Sequence, residues 1–145
     1  MSKASDSAVT IFNDGFNCSQ AVMASHCEEL GLDKDTALKV SCAFGGGMGH
    51  IGEVCGAVSG ALMLLSLKYG KYRIDDAESK EKTYKLVQDF TRQFKAKHGS
   101  IQCKGLLGYD VSIEEELIRA REAGVFKTVC PLLVKDSVEL VEKLL

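Results

Sequence analysis

Apolar residues crowd every side of the segment Ala57-Val58-Ser59-Gly60-Ala61-Leu62-Met63-Leu64-Leu65. A helix with that pattern belongs in the middle of a bundle rather than on its rim. The pattern predicts a central helix from about Glu53 to Tyr69, stopped by Gly70, with Cys55 in its first turn. A glycine-rich bend, Phe44-Gly45-Gly46-Gly47-Met48-Gly49-His50, leads into it. Gly56 and Gly60 are four apart on one face and would let another backbone come close to Cys55.

The rest of the chain reads as shorter amphipathic pieces. A first helix is predicted from Ser5 to Phe12, broken by Asn13-Asp14-Gly15-Phe16-Asn17. Asn17 is an N-cap candidate, so Cys18 becomes the first residue of a helix that carries Ala21, Val22, Met23 and Leu30 and stops at Gly31. Asp33 or Asp35 opens a third helix through Ala37, Leu38, Val40 and Cys42. Asp75-Asp76-Ala77-Glu78 reads as a capping box for the longest helix. That helix carries Tyr84, Val87, Phe90, Thr91 and Phe94 in one stripe, ends before Gly99 and lies on the outside. Residues 100–111 have too many glycines for a regular element, and Ser112-Ile113-Glu114-Glu115 forms a second capping box for a helix ending at Gly124. The last helix opens at Cys130-Pro131, with proline at N1 and an apolar face of Leu132, Leu133, Val134, Val138, Leu140, Val141 and Leu144. No stretch sustains a period of two. The expected architecture is all-α: a single-domain bundle over residues 1–145, of roughly six or seven helices around the buried central one.

Charge narrows the function classes. The chain has 18 basic and 20 acidic side chains with no basic block, so it offers no footprint for nucleic acid or an anionic membrane. Met1-Ser2-Lys3-Ala4-Ser5 lacks an apolar signal core, and no apolar run approaches the roughly 18 residues of a membrane span. The expected address is the cytoplasm, without membrane insertion.

Six cysteines are too few for a disulfide scaffold and generous for a cytoplasmic chain of 145 residues. No Cys-x-x-Cys pair occurs, so a joint site must be assembled by the fold. Cys18, Cys55 and Cys130 fall at predicted helix starts, where unpaired N–H groups and the helix dipole favour a thiolate. Cys103 lies in the glycine-rich loop, while Cys27 and Cys42 read as core residues. The opposing interpretation is that all six simply pack, since cysteine behaves as a small hydrophobe. His26 and His98 fit surface or capping roles. His50, inside the glycine bend five residues before Cys55, is a candidate base or fourth ligand. The bend is no P-loop, because neither the Gly-Lys-Ser/Thr sequence nor a preceding strand accompanies it.

Phe16-Asn17-Cys18-Ser19-Gln20-Ala21-Val22, Ala43-Phe44-Gly45-Gly46-Gly47-Met48 and Cys55-Gly56-Ala57-Val58-Ser59-Gly60-Ala61, followed by single cysteines at Cys103 and Cys130, resemble the C_GCAxxG_C_C family of redox-active proteins. The resemblance implies a helical domain in which Cys18, Cys55, Cys103 and Cys130 act together, with Cys27 and Cys42 outside the set. Covalent haem is not expected, because the chain has no Cys-x-x-Cys-His.

Three functions are consistent with these features. The first is thiol-based redox chemistry with an unknown partner, Cys55 attacking and Cys18 resolving. The second is a four-cysteine site for an iron–sulfur cluster or zinc held by Cys18, Cys55, Cys103 and Cys130; a variant places it at a homodimer interface served by the C-terminal helix. The third is a helical interaction module whose thiols only pack.

Overall fold

Side-chain caps begin the first three helices. Ser2 Oγ accepts from the Ser5 amide at 3.0 Å and opens α1 (Lys3–Asn13). Asn17 Oδ1 accepts from the Gln20 amide at 2.9 Å, and Gln20 returns its side-chain oxygen to the Asn17 amide at 3.0 Å. This reciprocal box fixes the start of α2 (Cys18–His26) at Cys18. Asp33 caps α3 (Lys34–Ser41) through the Thr36 amide. The chain continues through α4 (Gly56–Tyr69), α5 (Ala77–His98), α6 (Cys103–Leu107), α7 (Glu114–Ala123) and α8 (Cys130–Leu144). Single turns lie at Cys42–Phe44, Gly45–Met48 and Val125–Thr128. These elements come from a computed structural model that describes residues 2–145. Among the described residues there is no strand, only one antiparallel bridge between Val54 and Gln102.

The all-α expectation holds, with eight helices among the described residues, and the extra one is α6, inside the stretch expected to be irregular. Glycine there does not prevent one helical turn, because Gly105 is internal to it and Gly108 ends it at φ 75°. Two capping expectations shift. Asp76, not Asp75, caps α5, accepting from the Ser79 amide at 3.1 Å. No Ser112 box opens α7: the Asp110 carboxylate takes both the amide and the hydroxyl of Ser112, which leaves Ile113 at the N-cap without a side-chain bond.

The core is built on two helices. The apolar helix α4 packs against α2, α5 and α8, while α2 packs against α1, α3, α4 and α8. Val58, Ala61, Leu64 and Leu65 of α4 are fully buried, whereas Leu67, at its C-terminal end, is exposed. The central helix is therefore enclosed at its cysteine end and open toward Gly70. Ser137 of α8 donates to the Ala57 carbonyl at 2.6 Å, a buried bond that locks α8 beside the start of α4. Of the α8 face expected to serve a homodimer, Leu133, Val134, Val138 and Val141 are buried inside the bundle, Leu140 and Leu144 are half-buried, and Leu132 is exposed. On α5 the buried stripe is Thr83, Phe90 and Phe94, with Tyr84 exposed. Among the described residues no helix is long and apolar enough to cross a membrane.

Two side chains, Cys42 and His26, depart from their expected settings. Cys27 is fully buried, but Cys42 is exposed, because α3 ends one residue earlier and the following turn faces outward. His26 is buried, with Nδ1 3.2 Å from Glu29 and Nε2 3.3 Å from Glu142, so it joins α2 to α8. His98 ends α5 as expected and its Nε2 lies 3.0 Å from Asp136 of α8.

Candidate thiol site

Five consecutive residues before α4, Gly46 to His50, have positive φ, between 58° and 68°. The bend is a short left-handed turn, a conformation that costs an L-residue with a Cβ roughly 1–2 kcal/mol. Glycine supplies three of the five positions, and Met48 and His50 bear the strain. The turn is closed by the Gly49 amide on the Gly45 carbonyl at 2.8 Å and the Glu53 amide on Gly47 at 3.0 Å. It is clamped to the start of α2: a side chain on Gly45 would collide with Asn17, whose Nδ2 donates to the Cys42 carbonyl at 2.8 Å. Its consequence is that the Gly46 backbone faces the Cys18 sulfur.

The close helix approach predicted from Gly56 and Gly60 is made by α2. A methyl on Gly56 would stand 2.5 Å from Cys18 Sγ, and one on Gly60 would stand 2.8 Å from the Ser19 carbonyl. Two glycines one helical turn apart therefore draw α2 onto α4 and bring the Cys18 and Cys55 side chains into hydrogen-bond contact. Cys18 is the first residue of α2, while Cys55 is the N-cap of α4 and not inside its first turn.

The bridge between Val54 and Gln102 positions the third thiol. The Cys55 amide donates to the Ile101 carbonyl at 2.7 Å and the Cys103 amide to the Glu53 carbonyl at 2.6 Å, so the starts of α4 and α6 are held together. Gly47 leaves the room this needs, since a Cβ there would lie 2.7 Å from Cys103 Cβ. Cys130, the first residue of α8, packs in a small apolar cluster with Cys103, Leu107 and Val111, with Phe126 against it. All four thiols thus sit at helix starts, a position sequence periodicity missed for Cys103. They line one cavity of ≈ 230 Å³, together with Phe12, Phe16, Asn17, His50, Phe126 and Leu133. Cys27 and Cys42 are outside it.

Electrostatics divides the four. The Cys55 thiol donates to Cys18 and, with burial opposing and the backbone amides of Gly46 and Ser19 assisting, brings the Cys18 pKa down to about 7. Cys55, holding the shared proton in a buried site beside that charge, is raised well above the ordinary thiol range. Burial pushes Cys103 up to about 11, with the nearby charges of Cys18 and Asp110 adding to it. Cys130 rises to about 12, again mainly through burial. His50, expected as a base or fourth ligand, reaches the cavity with its ring folded over Gly46.

The donor set for a metal is four cysteines around one cavity, a thiolate-rich environment of the kind soft ions and clusters take. In the arrangement present, no three His, Cys, Asp or Glu side chains among the described residues are grouped to hold a metal ion. A four-cysteine centre would require Cys103 and Cys130 to move toward the Cys18–Cys55 pair.

The fold and the shared cavity define an all-helical protein with clustered thiols, and a family model matches nearly all of it. The chain belongs to the family described as "Putative redox-active protein (C_GCAxxG_C_C)", whose model matches residues 16–144. That description writes Gly-Cys-Ala-x-x-Gly where this chain has Cys55-Gly56-Ala57-Val58-Ser59-Gly60, so the first two positions are exchanged. Neither a curated protein nor a solved structure matches the chain.

Proposed function

We propose that this protein carries out thiol–disulfide chemistry in which Cys18 is the attacking thiolate and Cys55 the resolving thiol. The observation that carries the reading is the buried hydrogen bond between the two thiols at facing helix starts, which makes Cys18 the acidic member. This exchanges the roles expected from the sequence, because the Cys55 proton is directed at Cys18, while the amides of Gly46 and Ser19 at Cys18 are matched by those of Ala57 and Val58 at Cys55. Cys103 and Cys130, protonated at neutral pH, form a second pair that receives oxidising equivalents later or serves only the packing of the cavity wall. Family membership supports redox activity, and the thiol mechanism is the form that this cavity favours.

Mild oxidation of the reduced protein followed by peptide mass mapping tests the reading. A Cys18–Cys55 disulfide is the expected product, absent in Cys18→Ser; no linkage among the four thiols would sink it. Iron, zinc and acid-labile sulfide measured on protein purified without oxygen decide the competing reading. Near-stoichiometric metal that is lost on Cys103→Ser would make Cys18, Cys55, Cys103 and Cys130 ligands instead.

A further inference from the structure

The cavity that holds the thiols has a chemical character of its own. None of the described residues lining it is Lys, Arg, Asp or Glu. The four cysteines are 5–8% exposed and stand among Phe12, Leu107, Phe126 and Leu133. Gly15, Phe16 and His50 are its exposed members and mark where it reaches the surface. At ≈ 230 Å³ it has the volume of about eight molecules of liquid water, enough for a small organic molecule and too little for a peptide strand.

We propose that this cavity admits a small, uncharged disulfide with apolar substituents as the oxidant of the Cys18–Cys55 pair, and turns away protein disulfides and anionic disulfides. The inference rests on the dithiol reading above and adds the substrate class. Size excludes a folded partner, whose disulfide cannot reach sulfurs buried to this degree without bringing its own chain into the cavity. Charge disfavours anions: neither Lys nor Arg lines the wall, the Cys18 thiolate repels a second negative charge, and the apolar wall around the sulfurs does not repay the desolvation of a carboxylate. The leaving group points to sulfur. A departing thiolate is a weak base that needs no metal or guanidinium to receive it, unlike hydroxide from a peroxide.

The reaction balances without a further reagent. The Cys18 thiolate attacks one sulfur of R–S–S–R, forming Cys18–S–S–R and releasing R–S⁻. The Cys55 thiol gives its proton to that thiolate, attacks Cys18 Sγ and displaces the second R–S⁻. The disulfide is reduced to one R–SH and one R–S⁻, and two protein thiols are oxidised to the Cys18–Cys55 bond.

The test compares oxidants on reduced Cys42→Ser protein, which lacks the exposed cysteine outside the cavity. Rates of Cys18–Cys55 linkage are read by quenched peptide mass mapping for neutral dithiodipyridine, dianionic dithiobis(nitrobenzoate), glutathione disulfide and oxidised insulin chains, each normalised to its rate with free cysteine. Dithiodipyridine is expected to lead the charged and macromolecular oxidants by at least about tenfold after normalisation. Equal normalised rates would overturn the substrate class while leaving the dithiol reading intact. Failure of every oxidant to link Cys18 with Cys55 would overturn both.

Discussion

Two pairs of cysteines share one cavity wall and the same kind of position, yet only the first pair contains a thiolate, on Cys18. Cys18 and Cys55 begin α2 and α4; Cys103 and Cys130 begin α6 and α8. All four are buried. What separates them is the supply of donors. Cys18 receives the Cys55 proton and the amides of Gly46 and Ser19, whereas the Cys103 amide is committed to the Glu53 carbonyl and no backbone donor lowers that thiol. Cys130 has only its own amide, and burial outweighs it. A helix start therefore does not activate a thiol by itself; free amides, a second thiol and a glycine-permitted approach do.

The largest test of that contrast is site-resolved alkylation of the reduced protein by iodoacetamide at neutral pH. About half of Cys18 is ionised at pH 7, against roughly one part in ten thousand or less for Cys103 and Cys130. Lower nucleophilicity of the more acidic thiolate returns part of that advantage, leaving Cys18 on the order of 100-fold faster. The measurement is peptide-level mass spectrometry over time. Modification of Cys103 or Cys130 ahead of Cys18 would reverse the assignment.

Gly56→Ala sharpens the comparison from the packing side. The methyl would meet Cys18 Sγ, the Phe44 carbonyl at 2.8 Å and the Ser19 amide at 3.1 Å, two of which are backbone that must shift. Overpacking of this kind costs up to about 3 kcal/mol, and separating α2 from α4 weakens the thiol–thiol bond. Urea unfolding should show the loss, and the apparent pKa of Cys18 from ultraviolet thiolate absorbance should rise. Stability lost without any change in that pKa would show that the glycine serves packing alone.

How far the sequence revealed this follows from the range of each interaction. The Asn17 cap, Cys18 at a helix start, the proline-marked start of α8 and the need for glycine at 56 and 60 are local features, and residue type states them directly. The all-apolar stretch of α4 likewise announces its own burial. The bridge between Val54 and Gln102 is different: it joins segments nearly fifty residues apart through backbone atoms that any side chains can supply, so Cys103 read as a loop residue. The lowering of the Cys18 pKa comes first from the Cys55 thiol and then from the amide of Gly46, which faces the sulfur only because five residues turn left-handed. Two of those five are Met48 and His50, and Met48 carries no signal for that conformation. Cys42 misled because its apolar neighbours on α3 suggested burial that the outward-facing turn does not provide.

The smallest of the expected effects is carried by stability itself. Cys18 has a lower pKa folded than unfolded, so between about pH 7 and 9 the unfolded chain binds more protons and stability rises with pH. Cys103 and Cys130 keep their protons to about 11 and 12 when folded, while the unfolded thiols lose theirs near 9, so stability falls above that point. Under reducing conditions the difference between wild type and Cys18→Ser should therefore grow by about 2 kcal/mol as pH rises from about 7 to 9. Cys130→Ser should instead narrow the decline above about pH 9. Urea unfolding across that range reads both, with Cys18→Ser also removing the charge that helps to hold the other three thiols protonated. A flat difference for Cys18→Ser would mean that its thiol is protonated in the folded protein and that the two pairs are alike after all.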